Sequence, residues 1–514
     1  MLDRRQFVRM AGMGMAGLCG AGFLSSARPN ILVFLVDDLG WQDLSEPFGA
    51  RRSPFNDRYR TPNVERLARE GVKFTQAYAC AVCSPTRVSL MTGMNAARHR
   101  VTNWTLRRNE SADGAHPTLI FPEWNVNGLS PTPGIERTVV ATPLPAVLRD
   151  AGYATIHCGK AHLGAVGTPG QNPLALGFDV NIAGHAAGGP GSHLGLHDFS
   201  ADWRKGDRVW DVPGLDEYHG KDVFLTQALT ERAVAALDAP IAAHRPFFLY
   251  MSHYAVHAPI EADDRFVRRY ADAGLDPIEA RYASMVEGMD RSLGDLMACL
   301  DRKGVADNTI VIFMSDNGGL SATGRGGEPN THNRPLSSGK GSAHEGGIRE
   351  PMIVKWPGVA RPGSIETTPV IIEDFFPALA EMAGAAKPRV LQAVDGVSFV
   401  PLLRRTGSAP KDRALFWHFP NEWGPKGPGI GASSTVRLGD WKLIYYHAGR
   451  RFELFDLAHD LGETTNLAGA HPDKVRALAS RLTQHLTAVN AQMPVEKATG
   501  RPVPWPAEAA AGLR

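Results

Sequence analysis

Four short apolar runs along the chain stop abruptly at charged or amide side chains. Residues 30–36 (NILVFLV) end in Asp37-Asp38, and residues 153–158 (YATIHC) end in Gly159-Lys160. Residues 247–251 (FFLYM) lead to His253 and His257, and residues 309–315 (TIVIFMS) end in Asp316-Asn317-Gly318-Gly319. Unbroken hydrophobicity without alternation predicts strands covered on both faces. Helical stretches lie between them. One is predicted to start with Thr61 as N-cap and Pro62 at the first helical position. Strands alternating with helices predict an α/β sandwich built on a large, mostly parallel sheet. In such sheets ligands bind at the carboxyl ends of the strands, which is where these polar residues fall.

After about residue 395 the pattern changes. Residues 434–437, 441–445 and 452–456 read as short antiparallel strands with turns at Gly439-Asp440 and Gly449-Arg450, and a helix is predicted near 472–489. The chain therefore divides into a leader over 1–27, a main α/β domain over 28–395, and a smaller C-terminal α+β sub-domain and tail over 396–514. Two stretches, 102–140 and 165–220, are irregular and rich in Gly, Pro, His and Trp. Loops of that length predict lids or rims around a site.

A chain of 514 residues with 43% hydrophobic and 21% charged residues is long enough for a large core and is not disordered in composition. Asp3-Arg4-Arg5-Gln6-Phe7-Val8-Arg9 followed by a short apolar stretch resembles a twin-arginine export signal, with small residues at Ser25-Ser26-Ala27 for cleavage. The apolar stretch is too short to span a bilayer stably. The expected location is therefore the periplasm, or secretion beyond it. Losing Arg4, Arg5, Arg9 and Asp3 takes the formal charge from +2 to zero. A neutral mature chain is not a general nucleic-acid or anionic-membrane binder, so any anion site must come from local clustering. Five cysteines in a chain this long do not make a disulfide framework, and Cys80, Cys158 and Cys299 read as buried free thiols.

The candidate chemistry begins with the carboxylates. Asp37, Asp38 and Asp316 would repel one another at one site without a cation. Oxygen ligands from Asp, with the amide oxygen of Asn317, suit a hard divalent ion. Between these strand ends stands Cys83-Ser84-Pro85-Thr86-Arg87, followed by Met91-Thr92-Gly93. A plain thiolate at Cys83 would be a soft ligand beside a hard ion. Ser84 and Pro85 are expected to open a helix, whose N–H groups would face a developing anion. Further along come Gly159-Lys160-Ala161-His162-Leu163-Gly164, His257-Ala258-Pro259, Ser338-Gly339-Lys340-Gly341 and Glu345-Gly346-Gly347-Ile348-Arg349-Glu350-Pro351.

Together these segments resemble the formylglycine-dependent sulfatases of the alkaline-phosphatase-like superfamily, over residues 30 to about 467. The resemblance implies an alkaline-phosphatase-like sandwich, with 28–395 as the catalytic domain. It also implies that a maturation enzyme oxidises Cys83 to formylglycine, whose hydrated gem-diol is the nucleophile. Asp37, Asp38, Cys83, Asp316 and Asn317 would be metal ligands, with Ca²⁺ expected and Mg²⁺ the alternative. Arg87 would brace the site, and Asp316 would take the nucleophile's proton. Lys160, His162 and Lys340 would meet the sulfate oxygens and the diol, and His257 would protonate the leaving alcohol. His253 is a weaker candidate for that role.

The implied reaction is hydrolysis of a sulfate ester, on a sulfated sugar or an aryl sulfate, to alcohol and inorganic sulfate. Two other readings keep the fold. One is a phosphate or phosphonate ester hydrolase, which in this superfamily commonly needs a Ser or Thr nucleophile and a second ligand set. The other is a carbohydrate-binding protein in which Cys83 stays a thiol. Trp104, Trp124, Arg107, Arg108, His185, His193 and His197 in the long loops are candidates for sugar stacking or a second anionic group.

Overall fold

The computed structural model describes residues 28–407 and 412–513. The predicted export signal lies outside the described residues.

A nine-stranded sheet forms the middle of the main domain. Its strands are β1 (Asn30–Val36), β2 (Val72–Tyr78), β3 (Ala154–Gly159), β4 (Val180–Ile182), β5 (Phe247–Ser252), β6 (Thr309–Ser315), β7 (Arg349–Lys355), β8 (Ser364–Glu366) and β9 (Val370–Ile371). The order is β8-β2-β7-β6-β1-β5-β3-β4, with β9 pairing on β2. All pairings are parallel except those of β7, which runs against both β2 and β6. The four runs predicted as strands are thus β1, β3, β5 and β6, side by side.

Their lack of hydrophobic alternation has the expected cause. In β1, Ile31, Val33 and Leu35 enter the core on one face, while Leu32, Phe34 and Val36 enter the core on the other. The first core is covered by α2 (Cys83–Thr92) and α5 (Phe375–Met382), through Val88, Leu90, Met91, Phe375 and Leu379. The second is covered by α1 (Pro62–Glu70), α3 (Leu225–Ala236) and α4 (Pro277–Arg302), through Val64, Leu67, Leu225, Leu229, Met285 and Leu293. Truncating a side chain such as Phe34, fully buried at the sheet centre, would cost about 3–5 kcal/mol. Helix α1 starts at Pro62, as its sequence predicts, although the Thr61 side chain does not cap it: the hydroxyl bonds Ser45 instead.

A second, four-stranded antiparallel sheet follows, from β10 (Ala414–Phe419), β11 (Ser433–Leu438), β12 (Trp441–Tyr446) and β13 (Arg451–Asp456), in that order. Helix α6 (Pro472–Ala488) packs on it through Val475, Leu478 and Leu482. The two parts share a core. Phe399, Val400, Leu403, Leu415 and Trp417 belong to the same apolar cluster as β1 and α2. Across the join, the buried ammonium of Lys442 lies 2.9 Å from Glu345 Oε1 and 2.8 Å from Glu463 Oε1. Cys80, Cys83, Cys158 and Cys299 are all buried and free, and no helix among the described residues is long and apolar enough to cross a membrane.

A carboxylate cluster and its cations at the strand ends

Register brings the candidate residues together. Gly159 of β3 pairs with Ser252 of β5, Leu35 of β1 pairs with the same Ser252, and Val36 pairs with Ser315 of β6. The four strands therefore end level, and the residues that follow three of them, Asp37, Lys160 and Asp316, meet in one cluster. Backbone bonds fix that exit: Asp316 N–H donates to Val36 O (3.0 Å), Asp37 N–H to Ala255 O (2.9 Å), and Lys160 N–H to Ser252 O (2.7 Å). Gly159 is required here, since its φ is +101° and a Cβ would lie 1.9 Å from Ser252 O.

Asp37, Asp38 and Asp316 each offer one oxygen within a 4.8 Å group, and all three are fully buried. Asn317 joins them by donating Nδ2–H to Asp38 Oδ1 at 2.8 Å. Asp37 Oδ1, Asp38 Oδ2 and Asn317 Oδ1 are buried without a hydrogen-bond partner. Three orphaned oxygens among like charges would be costly in an apolar interior, and they are the donor type a hard divalent cation takes. The residues present thus fit the predicted metal.

The opposite oxygens are held by lysines. Lys160 Nζ is 2.8 Å from Asp37 Oδ2, and Lys340 Nζ is 2.6 Å from Asp38 Oδ1. Burial pushes the Asp37 carboxyl well above its ordinary value; Lys160 pulls it back, and repulsion from Asp316 and Asp38 adds to the rise. Burial acts the same way on Asp38, but Lys340, with His257 and Lys160, outweighs it and holds this carboxyl below its usual range. Arg87, wholly buried on α2, donates Nε–H to Asp316 Oδ2 at 2.9 Å, and bonds Lys160 O and Ser252 Oγ through Nη1.

Helix α2 begins at Cys83 itself, with Val82 as N-cap, one residue before the predicted start. Burial raises the Cys83 thiol, against Lys160 and Lys340, which lower it. A neutral thiol buried at a helix start is a poor nucleophile. His162 lies near this turn: its Nε2–H donates to Thr105 O at 2.8 Å, and its carbonyl accepts from Ser84 Oγ. Burial holds His162 neutral, so its unpartnered Nδ1 is an acceptor. That atom suits a hydroxyl proton rather than a sulfate oxygen. His257 Nε2 is 3.7 Å from Asp38 Oδ2, and its Nδ1–H donates to Ala258 O at 2.7 Å. Burial and the Lys340 ammonium hold this imidazole down at about 3.

Other candidates sit elsewhere. His253 is core, bonded to Ser292 and tilted on Phe34. Trp124 is buried, with Nε1–H donated to Ser111 Oγ and Asp113 Oδ2. His193 stacks on Phe224 and bonds His257 O, His185 bonds Tyr254, His197 stacks on Trp203, and Arg107 pairs with Asp207. Trp104 stays half-buried, 6.3 Å from the Trp210 ring. Two residues have no role assigned by the sequence. Glu350 is buried on β7 with neither carboxylate oxygen bonded, and burial, then Asp316 and Asp38, push it well above its ordinary value. Its neutral form faces the cluster's field, and nothing in its local pattern signals this. Trp423 lies over Lys340, with 5.6 Å from Nζ to the ring centroid.

A two-faced sheet ending in a crevice of carboxylates and cations defines a hydrolase of the alkaline-phosphatase-like superfamily. The sulfatase family model matches residues 29–385, and a model of the N-sulphoglucosamine sulphohydrolase C-terminal region matches residues 339–492. The chain belongs to the sulfatase family, hydrolases of sulfuric esters. It is similar to a sulfatase of Formosa agariphila (31% identical, covering 88% of this chain and 86% of that one). It is similar also to the N-acetylgalactosamine-6-sulfatase of Canis lupus familiaris (32% identical, covering 89% and 79%). Among solved structures it resembles Ps i-CgsB in complex with k-i-k-neocarrahexaose, with TM-score 0.70, 25% identity, and 89% and 93% of the two chains covered.

Proposed function

We propose that this protein removes sulfate from a sulfated carbohydrate, using residue 83 in its formylglycine form beside one hard divalent cation, Ca²⁺ in first preference. The observation that carries the reading is the group of orphaned oxygens on Asp37, Asp38 and Asn317 next to Asp316. The relatives named for N-acetylgalactosamine 6-sulfate and the neighbour solved with a neocarrahexaose support a sugar as the alcohol. When bound, the cation and the oxidised side chain would supply an acidified hydroxyl in place of the thiol and polarise the ester.

The chain's own residues do the rest. Asp37, Asp38, Asp316 and Asn317 would hold the cation. Lys160 and Lys340, already anchored on Asp37 and Asp38, present ammonium groups to the tetrahedral anion where charge develops. Arg87 fixes Asp316, the acceptor for the nucleophile's proton. Neutral His162 orients a hydroxyl through Nδ1. His257 delivers a proton from Nε2 to the leaving alcohol; an arriving sulfate ester adds negative charge that opposes Lys340 and Lys160 and so favours the imidazolium. Residues 1–27 would direct export to the periplasm after maturation.

The test is mass spectrometry of the tryptic peptide 74–87 from active protein, together with released sulfate from a panel of sulfated sugars. The reading expects an aldehyde in place of the Cys83 thiol and sulfate release from at least one sugar. An active preparation with an intact thiol would falsify the mechanism.

A further inference from the structure

We infer that Trp423, supplied by the C-terminal sub-domain, is the platform on which the sugar ring of the substrate stacks. This rests on the carbohydrate reading above and names the residue that recognises the sugar.

Trp423 stands at the join of three parts of the molecule. Its ring lies over the Lys340 ammonium, 5.6 Å from the centroid, and that ammonium is itself 2.6 Å from Asp38 Oδ1. The indole packs on the backbone of Gly341, where a Cβ would come within 2.2 Å of its Cδ1. The residue remains half-buried. An indole in that position offers an apolar, electron-rich face to the C–H face of a pyranose. The cation beneath its neighbourhood binds the sulfate carried by the same sugar.

The segment just before the ring is also tied down. Asp113, from the first long loop, accepts Nδ2–H of Asn421 (2.9 Å) and N–H of Glu422 (3.1 Å). The same carboxylate accepts Nδ2–H of Asn103 (3.0 Å), whose amide also donates to Glu422 O. Asn103 adjoins Trp104 and Thr105, and Thr105 O holds His162. One carboxylate therefore clasps the segment bearing Trp423 to the segment bearing Trp104. A fixed aromatic face binds a ring with little ordering cost. The long loops supply Trp104, but the cation-adjacent face comes from a different sub-domain.

The test uses the full Cys83→Ala chain loaded with Ca²⁺, which binds esters without turnover. Calorimetry compares inorganic sulfate with a panel of monosaccharide sulfates that includes N-acetylgalactosamine 6-sulfate. Adding Trp423→Ala should weaken the best-bound sugar sulfate by about tenfold or more, leave inorganic sulfate within about twofold, and be largely rescued in Trp423→Phe. Trp423→Leu replaces Trp423→Ala if thermal unfolding shows that the latter does not fold. A parallel loss of inorganic sulfate would mean that Trp423 only positions Lys340, and overturns the proposal. Sugar sulfates bound equally well without the indole also overturn it, and leave the carbohydrate reading standing. If no sugar sulfate binds while inorganic sulfate does, the carbohydrate reading itself falls and this proposal with it.

Discussion

The turn that follows β1 contributes to two buried charge clusters, and they differ in one respect. Around Asp43 every carboxylate oxygen is bonded. Asp43 Oδ2 accepts from Tyr282 (2.6 Å) and Gly40 N–H (2.9 Å), and Arg325 reaches both its oxygens. Glu279 accepts from Tyr59 (2.6 Å), Arg58 and Arg325. The Arg325 guanidinium also lies 3.9 Å from the Tyr282 ring centroid. Around Asp37 and Asp38, lysines and Arg87 hold one side of the cluster while three oxygens on the other side have no partner. Both clusters are buried ion networks. Only the cluster of Asp37 and Asp38 leaves several carboxylate and amide oxygens unsatisfied side by side, the atoms a hard cation would take. Burial and charge alone do not mark a site; several unsatisfied oxygens gathered at one place do.

The largest expected contrast comes from breaking each cluster in turn. Cys83→Ala removes the reacting residue beside the first cluster, and should lower turnover by about four orders of magnitude or more while thermal unfolding stays near that of the parent. Arg325→Met leaves buried Asp43 without a cationic partner and Glu279 with Arg58 alone. Chemical denaturation should show a loss of about 3–5 kcal/mol, with metal content per folded chain unchanged.

Acid sharpens the same contrast. Although burial works against it, Arg325, Tyr59 and Arg58 hold Glu279 down at about 2, against an ordinary value of 4.5. A depressed carboxyl contributes stability that is present above pH 4.5 and is lost as pH falls towards 2. Glu279→Gln should therefore flatten the acid limb of the stability profile, by on the order of 3 kcal/mol. Chelation should act on the other cluster. Stripping a metal present at about a hundred times its Kd removes about 2.7 kcal/mol of stabilisation, seen as a lower Tm. In Asp37→Asn that response should disappear.

The strands and much of the site were legible because three of the four apolar runs stop at a residue that joins the cluster, and level register does the rest. Asp37, Lys160 and Asp316 directly follow strands, whereas His257, five residues past the end of β5, was named through the resemblance of its His-Ala-Pro segment. The Asp43–Arg325–Glu279 network was not legible, since its members lie on a turn, a loop and a long helix with no local signature. Glu350 hid within a strand, and Trp423 within a loop of the second sub-domain. Trp124 and His193 carried the right chemistry for a rim, yet both are buried and bonded within the fold. Sequence reports which side chains are present; only packing reports which of their atoms remain unbonded.

The most direct test of that claim is metal analysis of the purified chain after exhaustive dialysis, by inductively coupled plasma mass spectrometry, alongside Asp38→Asn and Asp43→Asn. The account predicts about one equivalent of Ca²⁺ or Mg²⁺ in the parent, close to none in Asp38→Asn, and the parent's content in folded Asp43→Asn. A parent chain that holds no hard divalent ion, or an Asp38→Asn chain that keeps it, would contradict the account.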